Sequence, residues 1–108
     1  MEFNINEVVT DMLSVIKGTV NDNWDDVKTS ASQFLQRRKE RLELLAELRI
    51  EGEISQDKFE SRLADEALIA EAELNAIAVI SKAIAQKAAN AAMDVLTKAV
   101  TVAIDTAL

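Results

Sequence analysis

Apolar residues in the first half of the chain recur every three or four positions. Met12, Ile16, Val20, Trp24, Val27, Ala31, Phe34 and Leu35, then Leu42, Leu45 and Leu48, keep one phase. At about 3.6 residues per turn they fall on one face of a helix. The second half is patterned differently. Its polar positions, Asn75, Lys82, Gln86, Asn90, Asp94, Lys98, Thr101 and Asp105, step mostly by four and form one narrow stripe. The rest of that helix is apolar over an arc roughly twice the ~100° that a surface helix usually buries.

Start and stop signals frame these patterns. Asn4 can cap a helix, Glu7 completes a capping box, and Phe3 can staple onto Val8. Further on, Gly52 suits the left-handed residue past a helix end, and Ser55 suits the next cap, with Ile54 and Phe59 at staple positions. The spacing therefore predicts a helix over about 5–50, a turn at 51–55 and a helix over about 56–106. At ~1.5 Å per residue the two would be about 70 and 75 Å long. The connection is short, so they would lie antiparallel, with the C-terminal tail along the N-terminal segment. Residues 18–23 interrupt this picture. Gly18 can end a helix and Asn21, Asp22 or Asn23 can cap another, but the apolar phase runs through unbroken. A continuous or kinked helix is favoured; a true break would make three helices. The fold class expected is all-α, a long antiparallel helical hairpin in a single domain over residues 1–108.

Two helices cannot cover the second one's arc. The sequence thus leads us to expect a four-helix bundle or larger helical oligomer, formed with other copies. Its seam would be Ile77, Ile80, Ala83, Ile84, Ala88, Ala92, Val95, Leu96, Ala99, Val100, Ala103 and Ile104, with Trp24 as an aromatic anchor. The alanines at four-residue spacing allow close approach of helix axes.

Composition narrows the function. The 108 residues contain no Pro and only Gly18 and Gly52, and Ala, Leu, Glu and Lys, all good helix formers, are frequent. Cys and His are both absent. Thiolate chemistry is excluded, as are the commonest general base and metal ligand. A net charge of −7 opposes binding to nucleic acid and to anionic lipid. The longest uncharged run, Leu74–Ser81, is far below the ~20 residues that span a bilayer. The first residues are acidic where a signal peptide is basic. A cytoplasmic protein is expected, with signal-independent export left open.

Candidate chemistry is thin. Glu40, Glu43 and Glu47 are spaced like a carboxylate metal site in a bundle, but such sites use a Glu–His pair. The neighbouring Arg37, Arg38, Lys39, Arg41 and Arg49 make a solvated, salt-bridged tip the better reading. "NDNWDD" at 21–26 alternates oxygens as calcium loops do, yet Asp26 stands where Gly is needed and Ser32 where Glu is needed. "RRKER" at 37–41 is basic, but residues 36–66 hold nine acids to seven bases, which reads as a charged face. Trp24 lies far from the turn at Gly52, so the chain does not resemble the secretion-system hairpins that carry Trp–x–Gly there.

No catalytic residues, cofactor or metal are expected. The reading is a non-enzymatic structural or protein-interaction protein, homo-oligomeric through its Ala-rich C-terminal helix. It would serve as a subunit of a larger assembly such as a phage or secretion component. The alternative is a lipid-active or pore-forming hairpin, with membrane contact possible but not favoured.

Overall fold

The computed structural model describes residues 3–107; Met1, Glu2 and Leu108, which the expected single domain includes, lie outside the described residues. The regular elements among them are all helical: α1 (Ile5–Val20), α2 (Trp24–Ile50), α3 (Gln56–Asn75) and α4 (Lys82–Ala107), with a 3-10 turn over Asn21–Asn23. The all-α class read from the sequence is the observed one.

Asn4 and Ser55 cap their helices as predicted, without a return bond from the Glu7 side chain among the observed contacts. Asn4 accepts from the backbone N–H groups of Asn6 (3.0 Å) and Glu7 (3.3 Å). Two donors that no carbonyl can reach at a helix start are thereby satisfied. Phe3 packs on the core into which Val8 is buried. At the end of α2, Gly52 is left-handed (φ 78°). Its N–H donates to the Arg49 carbonyl and that of Glu53 to the Leu48 carbonyl, the paired bonds of a Schellman motif. Ser55 then accepts from the Lys58 N–H at 3.1 Å and opens α3.

Residues 5–50 are not one helix: α1 ends at Val20, and the chain turns back through Asn21–Asn23 before α2 begins at Trp24. A straight helix of that length would measure about 70 Å at ~1.5 Å per residue. The molecule measures only 43 × 23 × 20 Å, which matches α2 alone. The reversal is at Asn21, whose φ of 52° is one that Asn tolerates better than most residues. Gly18 stays inside α1. The apolar phase persists because both segments face one core, not because they are collinear.

The second difference concerns residues 56–106, expected as one helix. The chain leaves helical geometry after Asn75 and resumes at Lys82. Ala78 takes a left-handed φ of 63°, and Ser81 caps α4 by accepting from the Ile84 N–H at 3.1 Å. The bend has no Gly or Pro, so propensity gave no warning. Tertiary packing overrides it. A left-handed L-residue costs about 1–2 kcal/mol. The turn lets α4 fold back and bury Met93, Leu96 and Val100, worth roughly 1.5–3 kcal/mol each.

The four helices form a ring. α1 packs on α2, α2 on α3, α3 on α4, and α4 closes on α1. α1 and α3 stand at opposite corners. This is an up-down-up-down four-helix bundle made by one chain. Ile16, Ala31, Phe34, Ala70, Leu74 and Met93 meet in a central layer contributed by all four helices. The C-terminal helix does lie along the N-terminal one, as the sequence suggested. No helix among the described residues is long and apolar enough to cross a membrane.

Candidate interaction surface

The cover that the sequence reading assigned to other copies comes largely from within the chain. Of the expected seam, Ile80, Ala88, Ala92, Leu96, Val100 and Ala103 are buried in the chain's own core. Ile77, Val95, Ala99, Ile104 and Trp24 are half-buried and pack against it. Only Ala83 and Ile84 are exposed. The arc of α4 is wide because α4 touches α1, α3 and, more lightly, α2. A helix with three neighbours needs a wider apolar arc than one with a single neighbour.

The apolar surface that remains outside lies mainly elsewhere. Leu68 (63 % exposed), Ile69, Val79 and Ile84 fall within residues 68–84, the second half of α3 and the connection into α4. Leu44 and Val102 stand apart from them in sequence. Leu68, Ile69, Ala72 and Ala76 share a shallow depression with Glu73. On the helix they sit opposite Leu63, Ala67, Ala70 and Leu74, which face the core. From Leu63 to Ser81 the chain carries four acids and no cation. This surface was missed in the sequence because α3 was read as merely the charged start of a longer helix. The signal available was Leu68, Ile69 and Ala72 off the phase set by Phe59 and Leu63.

The strongest electrostatic feature joins α2 to α3. Glu66 is 2 % exposed, although it is charged. It shares a helix face with Phe59, Leu63 and Ala70, three, four or seven residues away, and that spacing could have flagged it. Arg38 meets it in a fork, Nε donating to Oε1 at 3.0 Å and Nη2 to Oε2 at 2.5 Å. Arg41 Nε lies 3.6 Å from Oε2. The Arg38 guanidinium is held above its ordinary pKa, chiefly by this hydrogen bond, with desolvation opposing. The expected tip pairing thus takes a particular form: arginines of α2 reach across to Glu66 and, from Arg37, to Glu73. The buried carboxylate is held in a bidentate fork that bridges α2 and α3.

Among the described residues no three acidic side chains gather so as to hold a metal ion, Glu40, Glu43 and Glu47 included. The cleft between α3 and α4 is lined by Glu60, Leu63, Ala64, Ala67, Asn90, Met93, Asp94 and Thr97. The Thr97 hydroxyl there donates to the Met93 carbonyl. No protein-family model, curated protein or solved structure matches the chain.

Proposed function

We propose that this chain is a non-enzymatic structural protein that acts by self-association, as a building unit of a larger helical assembly. One observation carries the reading: four exposed large apolar side chains, Leu68, Ile69, Val79 and Ile84, fall between residues 68 and 84, with Leu44 and Val102 exposed elsewhere. Scattered single apolar residues are normal on a surface, whereas adjoining exposed ones such as Leu68 and Ile69 on α3 mark a contact site. The contact is placed on α3 and the α3–α4 connection, not along the alanines of α4, which the fold already uses.

A lipid-active role has weaker support. Asp65, Glu71 and Glu73 rim the stripe, Glu73 paired with Arg37, and an acidic rim is repelled by anionic lipid. Light scattering at micromolar concentration, with and without anionic and neutral liposomes, tests the proposal. A defined oligomer that ignores lipid, and that Leu68→Glu returns to monomer, is the expected result. A monomer throughout the concentration series refutes it.

A further inference from the structure

Residues 76–81 combine three properties that seldom occur together. They hold Ala78 at φ 63°, a left-handed conformation that disfavours any residue with a Cβ. They contain neither Gly nor Pro: Ala76, Ile77, Ala78, Val79, Ile80 and Ser81. They also preserve helical phase between the helices they join. Extended as a helix, the segment keeps Ala70, Leu74, Ile77, Ile84, Ala88 and Ala92 on one side.

We infer that this segment is an exchange hinge. Resting on the self-association proposed above, it converts to helix, fuses α3 and α4 into one rod, and hands α4 to a second copy. In that copy α4 takes the seat on α1 and α3 that it holds in its own chain. Every core contact of the closed bundle is re-formed between chains, so only the hinge changes conformation. A short connection under strain favours this route.

The closed structure fixes the geometry of the exchanged pair. α3 and α4 run antiparallel with Glu60 and Thr97, and Ala67 and Asn90, lining one cleft. Each of these pairs of residue numbers sums to 157. Two rods in that register have their twofold axis between Ala78 and Val79, so the hinges of the two copies meet. Val79, 41 % exposed in the closed fold, falls on the outer face of the rod with Leu68 and Ala72.

The test uses the full chain, which has no cysteine, so that two spin labels can be placed cleanly at Glu60→Cys and Asp94→Cys. Both positions are exposed and flank the α3–α4 cleft. The protein is refolded from urea at high concentration with an excess of unlabelled chain, its mass is read by light scattering, and the label separation by pulsed electron resonance. The expected result is a dimer in which the labels of one chain lie about 50 Å apart, the length of 34 helical residues at ~1.5 Å each. A dimer that keeps the short separation overturns exchange while leaving self-association standing. A monomer at every concentration overturns both. Ala78→Gly frees the turn and penalises the rod at each of two hinges, so it should weaken dimerisation about a thousandfold. Deleting residues 77–80 leaves too little chain to turn back and should yield only dimer. If neither change moves the equilibrium, residues 76–81 are not the hinge.

Discussion

The ion pair between α2 and α3 can be tested by removing its two sides separately. Arg38→Met strips the fork from Glu66, whose side chain is 3 % exposed. Removing one partner of a buried pair costs about 3–5 kcal/mol, because the other charge is left desolvated. Two features lower that figure here. Arg41 keeps a positive charge 3.6 Å from Oε2, and the Arg38 side chain is 28 % exposed, so water can enter where it leaves. We expect a loss of about 2–3 kcal/mol. In a domain of this size each kcal/mol moves Tm by about 4–8 °C, which gives a fall of roughly 10–20 °C. Glu66→Met is a different perturbation. It places an apolar side chain on a face shared with Phe59, Leu63 and Ala70, and it leaves two arginines free to turn to solvent. Its cost should stay within about 1 kcal/mol. Urea unfolding followed by circular dichroism, with a common slope for all variants, reads both values. The double variant should match Glu66→Met alone. If the two single variants cost the same, the pair is a net source of stability, and the account of Glu66 as a charge that must be neutralised is wrong.

Other outcomes are simpler to read. Gly18 is helical and a Cβ there meets nothing within 4 Å, so Gly18→Ala should stabilise by up to about 1 kcal/mol in thermal melts. Gly52→Ala, at φ 78°, should instead destabilise by about 1 kcal/mol, reversing the sign for the same chemical change. Leu96 is fully buried, and Leu96→Ala should cost about 2–5 kcal/mol. Leu68→Ala should stay within about 0.5 kcal/mol in the monomer, since nothing in the chain covers it. Ser55→Ala, which removes the cap of α3, should cost about 1 kcal/mol by urea unfolding.

Local rules were legible wherever one residue is enough to state them. Asn4, Gly52 and Ser55 each satisfy or release particular backbone groups, so helix starts and one turn could be read directly. The kink at Asn21 was legible only as an ambiguity. Periodicity reports which face is apolar, and that face points to the same core whether the helix runs on or turns back. The bend at Ala78 left little trace, because it holds no Gly or Pro and its geometry is imposed by what α4 gains from folding back. Glu66 was hidden for a related reason. A lone acid on an apolar face looks like an interruption until Arg38 arrives from another helix.

The chain's own chemistry therefore determines that it is helical, where α1 and α3 begin, and that the second half needs an unusually wide apolar cover. Hydrogen-bond capping and helical periodicity act over a few residues, so they are written locally. Which segments supply that cover is not local. Four helices closing a ring bury Ala88, Leu96 and Val100 within one chain, and only the tertiary structure shows it. The same closure decides which apolar residues remain outside, moving the candidate contact from the alanines of α4 to Leu68, Ile69 and Val79. The physical reason is that burial is a property of pairs of surfaces: one sequence states how much apolar face must be covered, and the arrangement in space settles by what.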